Sequence, residues 1–454
     1  MPDPSAPTGD VAARPGIAER LGRMIRIETV SADPQARDGG AFDEFRALLK
    51  ELYPLVHGSL ERELIEPLGL VYRWPAGDAG RDDAEPVVLM AHWDVVPVTG
   101  QDWKVPPFGG EVSDGAVWGR GALDDKGHLC VLLEAVENLL AAGFAPARTV
   151  YLCLGGDEEV FGASGAGIAE ALHARGIVPW LVLDEGGAVT EVPFPGVEGM
   201  FAMVGLGEKG VATLELSASG SAGHASAPQG LTAVTRLARA VGRLSRNPFS
   251  PRVARTVTQT FEALSQHASG TARPLLRLAA RLPRLAGRFL VAAGGETAAM
   301  VRTTVAPTML AAGTAPNVLP GSATAIVNVR VNLGETVEQV RRRIERAVGD
   351  PEVQVRVVEG YDPTPESPTD CRQFELLERA VLASYPDAPV VPYLTMAATD
   401  SRHWHRFAPA VYRFSPLAMS AAERASIHGP DERLSLDGLR RGELFYRALL
   451  TDLA

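Results

Sequence analysis

The stretch LMAHWDVVPV, residues 89–98, reads as a buried strand that stops being apolar before it ends. Val87, Val88, Leu89, Met90 and Ala91 precede it in an unbroken apolar run, and Val95 and Val96 resume that run. Between them stand His92, Trp93 and Asp94. A buried strand seldom accepts two polar side chains unless something satisfies them. A lone histidine at a strand end is most often structural, so the meaning of the pair has to come from elsewhere in the chain.

Three further stretches supply it. WGRGALDDKG, residues 118–127, sets Asp124 and Asp125 between a glycine-rich turn and the start of a helix, where Asp125 reads equally well as a helix cap. LGGDEEVFG, residues 154–162, follows the apolar run Val150–Leu154 with three consecutive acids. Clustered carboxylates repel one another unless a cation is near. LVLDEGG, residues 181–187, places Asp184 at a third strand end. Three apolar strands thus bring His92, Glu158 with Glu159, and Asp184 to one sheet edge, with Asp124 between them in sequence. One carboxylate at a strand end means little, but several converging point to a hard or borderline cation.

The wider pattern supports that geometry. Up to about Leu206 strands alternate with helices: Ala41–Tyr53 and a segment from Lys126 read as helices, and Val87–Ala91, Val150–Leu154 and Leu181–Leu183 as strands. Such alternation predicts a mainly parallel α/β sheet with functional groups beyond the carboxyl ends of its strands. After Gly210 the rhythm becomes strand Val211–Ala218, helix Leu231–Leu244, strands Val301–Ala312 and Ala323–Val331, helix Val337–Val348 and strand Val353–Val358. This β-α-β-β-α-β order is ferredoxin-like. The expected organisation is a first domain over residues 1–208, an inserted domain over 209–361, and the rest of the first domain over 362–454.

Composition narrows the partners. A formal charge of -11 across 454 residues argues against nucleic acid, whose affinity comes largely from Lys and Arg neutralising phosphates. Cys130, Cys153 and Cys371 are odd in number and widely spaced, which predicts free thiols. The opening MPDPSAPTGDVAARPG has no apolar signal core, and no segment has the length of uncharged apolar chain a membrane span needs. A cytoplasmic protein with a short disordered start is the expectation.

In combination, H-x-D at residues 92–94, GRGALDDKG, DEEVFG and DEGG resemble the M20 family of metallopeptidases and amidohydrolases. GHASAP at 223–228, NVLP at 317–320, TDSR at 399–402 and IHGPDE at 427–432 extend the resemblance over nearly the whole chain. The long insertion, VRTTVAP at 301–307 and TDSR look most like the carboxypeptidase S and N-acyl-amino-acid hydrolase branch.

The resemblance implies a parallel-sheet zinc-hydrolase catalytic domain with a ferredoxin-like lid. It implies two zinc ions, with cobalt or manganese as substitutes, bridged by Asp124 and a water. His92 and Asp184 would hold one ion, and Glu159 and His428 the other. Asp94 would orient His92. Glu158 would be the general base, and His224 with Asn317 would donate to the oxyanion. Arg402 would anchor a substrate carboxylate, with Thr399 and Arg330 assisting, although an ion pair between Arg402 and Asp400 reads as well. The implied reaction cleaves an amide next to a free carboxylate, in an N-acyl amino acid or a short peptide. Lid groups can arrive from a partner subunit in this family, so the resemblance admits a homodimer through the lid. The rival is a catalytically silent binding protein of the same fold, which the presence of Glu158 and of every ligand disfavours.

One segment fits no motif. Between Thr271 and Gly295, Arg273, Arg277, Arg281, Arg284 and Arg288 recur every three or four residues among leucines, without an acid. The period predicts a basic amphipathic helix kinked at Pro283, either covering apolar surface on the lid or meeting lipid or fatty chains.

Overall fold

In the computed structural model, residues 12–33, 40–77, 84–228 and 230–453 are described. The start expected to be disordered lies, up to residue 11, outside them. The strands anticipated around the acids are central and adjacent. Val150–Gly155, Val87–His92, Leu181–Asp184 and Val411–Arg413 run side by side and parallel in a ten-stranded sheet. Antiparallel strands Glu61–Ile65 and Gly69–Trp74 finish one edge, and Met200–Glu208 with Val189–Glu191 extend the other side.

These central strands are apolar throughout because both faces are covered. On one face the helix Lys126–Ala141 packs Leu129, Leu132, Val136 and Leu139 into a core shared with Leu439, Phe445 and Leu449 of the helix Leu436–Thr451. On the other, Ile168 and Leu172 of the helix Ser164–Ala174 meet Val88, Met90, Cys153 and Val182. Register then fixes the site: His92 lies opposite Gly155, so the acids that follow Gly155 emerge beside the histidine.

The insert is the antiparallel sheet expected, in the order Thr304–Ala312, Ser322–Val331, Gly210–Ser219, Val353–Tyr361. Ser322–Val331 alternates strictly, with Ala323, Ala325, Val327, Val329 and Val331 buried. That face packs on Leu237 and Ala240 of the helix Ala233–Leu244 and on Val340 and Ile344 of the helix Val337–Val348. Thr336 and Gln339 close a capping box at the start of the second helix.

The arginine-rich stretch departs from expectation twice. It forms two helices, Ala272–Arg281 and Pro283–Ala293, because Leu282 leaves the helical conformation ahead of the proline. Together with the helix Arg255–His267, it lies against the catalytic sheet and not against the lid sheet. Val257, Phe261, Leu264 and Leu276 share a core with Phe201, Met203, Val391 and Leu394. Sequence periodicity shows that a face is apolar, but not which neighbour covers it.

Candidate metal centre

His92 closes its strand with its backbone N–H donated to Asp125 Oδ2 at 3.0 Å. The ring Nδ1 lies 3.1 Å from the Asp94 carbonyl oxygen and 3.3 Å from Asp94 Oδ1, which leaves Nε2 facing Asp124 Oδ1 at 3.1 Å. Asp124 Oδ2 faces His428 Nε2 at 3.0 Å, and the same nitrogen lies 3.2 Å from Glu159 Oε2. One carboxylate therefore stands between two histidines with an oxygen toward each. Ligand atoms of His92, Asp124 and Glu159 all fall within 4.8 Å of one another.

The acidic turn Glu158–Val160 is held by Asp94, whose Oδ1 accepts from Glu158 N and Oδ2 from Glu159 N, both at 3.1 Å. Asp184, ending the neighbouring strand, accepts from Ser401 N at 2.7 Å and Glu185 N at 2.9 Å. The Asp124 loop is fastened from the far end of the chain. Glu432 accepts from the backbone N–H groups of Leu123 at 2.7 Å, Asp124 at 3.1 Å and Gly121 at 3.2 Å, and pairs with buried Arg120. Gly121 takes a φ of 87°, a region most residues avoid, so that this loop can turn.

The electrostatics of the cluster call for positive charge. Burial raises the Glu158 carboxyl well above its usual range, with Asp400, Glu159 and Asp94 adding to it and His92 opposing. Burial and nearby Asp124 push Glu159 up to about 7, and burial with Asp124 and Asp184 raises Glu185 well above the ordinary range. Glu159 Oε1 is buried without a hydrogen-bond partner. Against burial, hydrogen bonds to Asp124 and Asp94 raise His92, and bonds to Asp124 and Glu159 raise His428 to about 10. Crowded carboxylates, two imidazoles and an orphaned oxygen suit divalent cations with N/O preference.

The structure thus brings His92, Asp124, Glu159 and His428 together, with Asp94 and Glu158 beside them and Asp184 on the next strand. His224 and Asn317 are neighbours elsewhere, at the exposed two-stranded lid ribbon in which Gly223–His224 pairs with Val318–Leu319. His224 Nδ1 contacts Ser226 Oγ at 2.7 Å, and the Asn317 carbonyl accepts from Ala225 N at 3.0 Å. Thr399 is buried, its hydroxyl donating to Glu208 at 3.0 Å in a network with Arg413. Arg402 donates to the Thr399 carbonyl at 2.7 Å, lies 3.6 Å from Asp400, and stacks 4.9 Å from the Tyr361 ring. Arg330 is half-buried on the strand Ser322–Val331.

Sequence reasoning passed over Asp125, Glu432, Glu185 and Tyr361. The first two lie inside motifs it quoted, where they could be read only as a cap and a surface acid. Tyr361 ends a lid strand with no motif around it, yet its hydroxyl is buried and unpartnered. Arg402, Arg330 and Glu158 all act on that hydroxyl electrostatically. The thiols of Cys130, Cys153 and Cys371 are free, and burial pushes the Cys153 thiol far up, leaving it inert. His128 is buried between Asp125 and Tyr446 as a structural histidine.

A chamber of about 280 Å³ adjoins the cluster. Asp124 and Glu185 line it together with Met203, Leu264, Met300 and Met396.

The profile of Peptidase family M20/M25/M40 matches residues 88–452. A probable carboxypeptidase S-like 2 from Dictyostelium discoideum is 34% identical over 442 residues, covering 96% of this chain and 84% of its own. The N-fatty-acyl-amino acid synthase/hydrolase PM20D1 of Xenopus tropicalis is also 34% identical over 442 residues, covering 96% and 86%. Among solved structures, the M20 family metallo-carboxypeptidase Sso-CP2 from Sulfolobus solfataricus aligns with a TM-score of 0.70 at 16% identity, over 96% of this chain and 99% of that one. The Bacillus subtilis YXEP protein, described as a dinuclear metal binding peptidase from M20 family, aligns at 0.56 and 16% identity over 96% and 97%.

Proposed function

The chain belongs to the M20/M25/M40 peptidase family and is an amide-bond hydrolase, and from that premise we propose that it cleaves N-acyl amino acids whose acyl chain is long and apolar. The observation that carries this reading is the chamber beside Asp124 and Glu185, whose walls include Met203, Leu264, Met300 and Met396. Methionines yield to a flexible aliphatic chain better than branched residues do. A short polar peptide would leave these walls uncovered. The relative named as an N-fatty-acyl-amino acid synthase/hydrolase supports the same class.

In this reading two zinc ions would be the cofactors: His92 and Asp184 would hold one, Glu159 and His428 the other, with Asp124 contributing to both, and cobalt or manganese would suit the same donors. When bound, the pair supplies a water acidic enough to attack near neutral pH and polarises the scissile carbonyl. Glu158 takes the water's proton and hands it to the leaving nitrogen, a role its raised proton affinity favours. Because each step is reversible, the same residues serve amide synthesis when fatty acid and amino acid are abundant. Arg402 binds the free carboxylate, with Arg330 contributing positive charge and Thr399 presenting its carbonyl to the guanidinium.

His224 and Asn317 are the proposed oxyanion donors. Their exposed position on the lid suits delivery to the site of a second copy, so a homodimer through the lid belongs to the proposal. A cytoplasmic location is likewise proposed, on the free thiols; no helix among the described residues is long and apolar enough to cross a membrane.

The test is a substrate panel crossing acyl length with amino-acid side chain, run with zinc, cobalt and manganese. The expected outcome is a kcat/KM that rises with acyl length. A preference for dipeptides or for acetyl substrates would overturn the acyl-chain reading in favour of a dipeptidase or carboxypeptidase.

A further inference from the structure

The helices Ala272–Arg281 and Pro283–Ala293 bury one strip against the catalytic domain, through Leu276 and half-buried Leu290, and leave another uncovered. Leu275 is 63% exposed and Phe289 67%, with Leu278, Leu282 and Leu285 also in the open. These five side chains do not scatter. With Phe194 and Phe261 they line a single cavity of about 350 Å³ that presents no polar surface. At about 100° per residue, Leu275 and Leu278 fall on one arc of the first helix, and Arg277 and Arg281 on the strip that borders it. The second helix repeats this phase, with Leu285 and Phe289 on the arc and Arg284 and Arg288 beside it, and Leu282 at the junction between the two. These four arginines are exposed and form no ion pair with the described residues.

Cost and charge together select the occupant. A monomer does not ordinarily leave this many large apolar side chains contiguous in water. A two-fold contact with the helices of a second copy running antiparallel would set the arginine strips of both molecules against each other. The rest of the chain makes the local charge sharper: the formal total is -11, yet residues 271–295 hold five arginines and no acid. An anionic surface would attract this stretch against the negative total of the chain. Leucines and a phenylalanine beside arginines that can bend their stems toward headgroups make the pattern of a helix lying in a bilayer interface.

We propose that this helix pair docks the enzyme on the surface of an anionic lipid bilayer. Phe289, Leu278 and Leu285 enter the headgroup boundary, and Arg277, Arg281, Arg284 and Arg288 contact lipid phosphates. The proposal stands on the helix pair and not on the acyl-chain reading of the active site. The two are neighbours, since Phe194 lines both this cavity and the chamber beside Asp124.

The test is flotation of the full-length protein with vesicles of phosphatidylcholine alone or containing phosphatidylglycerol. The wild type is expected to float with the phosphatidylglycerol vesicles only, and to be released by raised salt. The combined variant Arg277→Glu, Arg281→Glu, Arg284→Glu, Arg288→Glu should lose at least a hundredfold in binding, since each arginine near an anionic surface contributes roughly fivefold. A second variant, Leu278→Ser with Phe289→Ser, should also fail to float, and both should keep the wild-type circular dichroism and rate on a water-soluble short-acyl substrate. A wild type that stays with the unbound fraction, or equal binding to neutral vesicles, would overturn the proposal. So would a dimer in sedimentation that Phe289→Ser dissociates, which would make a second copy the occupant. Vesicle binding is read without turnover, so an enzyme that rejects long-acyl substrates yet floats would sink the substrate reading alone.

Discussion

Asp94 and Glu158 are joined through the backbone: the Asp94 carboxylate accepts the Glu158 N–H at 3.1 Å, its second oxygen accepts the Glu159 N–H at the same distance, and its Oδ1 also lies 3.3 Å from His92 Nδ1. One buried side chain therefore sets the position of the histidine and the carboxylate proposed as ligands and of the proposed base. Sequence reasoning gave Asp94 only the first of these duties. Asp94→Ala is expected to lower metal affinity roughly 10–100-fold, as loss of a carboxylate behind a ligand histidine does. It should also depress kcat when metal is restored in excess, because the acidic turn loses its anchor. Metal content by elemental analysis, alongside kcat at saturating zinc, separates the two effects. A variant fully rescued by zinc would show that Asp94 serves His92 alone.

Glu158→Gln replaces the carboxylate without disturbing the backbone N–H bonded to Asp94. Its side chain has no assigned ligand duty, so metal content should stay at the wild-type level. Turnover should fall by roughly 10²–10⁴-fold, the usual contribution of a positioned base. Near-wild-type kcat would remove Glu158 from the proton transfer. Loss of metal together with activity would mark it as a ligand instead.

Glu432 gives the clearest case of a residue that acts through another. Its carboxylate fastens three backbone N–H groups of the Asp124 loop and neutralises Arg120, which is 1% exposed. Removing one partner of a buried pair leaves a bare charge and typically costs about 3–5 kcal/mol. Glu432→Ala should therefore lower the denaturation midpoint sharply. The double change Arg120→Met with Glu432→Leu removes both charges and should recover much of that loss, while metal affinity stays low because the Asp124 loop is no longer held. Full recovery of metal binding in the double variant would show that the loop keeps its shape without Glu432.

The parts of this fold that were legible from sequence share a physical cause. Val87–His92, Val150–Gly155 and Leu181–Asp184 are buried on both faces, so their apolar runs are unbroken and their ends are marked by the acids that follow. The lid strand Ser322–Val331 is buried on one face, and its alternation is equally plain. What sequence could not supply was adjacency. Nothing in IHGPDE says that Glu432 reaches back to residue 121, and nothing in the leucine period says that Leu276 packs beside Phe201 and Met203. Tyr361 was invisible for the same reason, since its importance comes from being near Arg402 and not from its neighbours in the chain.

Arg402 is where the two readings drawn from the sequence meet in one place. The guanidinium lies 3.6 Å from Asp400 Oδ1, an ion pair beyond hydrogen-bond length, and that oxygen is buried without a hydrogen-bond partner. Burial lifts the Asp400 carboxyl to about 7, with Arg402 opposing and Asp184 adding to the rise, so the neighbour is a weak competitor for the arginine. Arg402 spends Nη1 on the Thr399 carbonyl and lies over the adjoining rings of Tyr361 at 4.9 Å and Phe161 at 5.9 Å. Those contacts fix the plane of the fork and leave its other donors for a ligand. A guanidinium grips a carboxylate through two parallel bonds, which a lysine ammonium does not reproduce. Arg402→Lys is thus expected to lower kcat/KM for N-acyl amino acids by about tenfold or more, the value of roughly one charge-assisted hydrogen bond. The corresponding N-acyl amino amides, which carry no carboxylate, should lose far less. Equal losses on acids and amides would place Arg402 in the structural role of holding Thr399 and Asp400, and the substrate carboxylate would then have to be sought at Arg330.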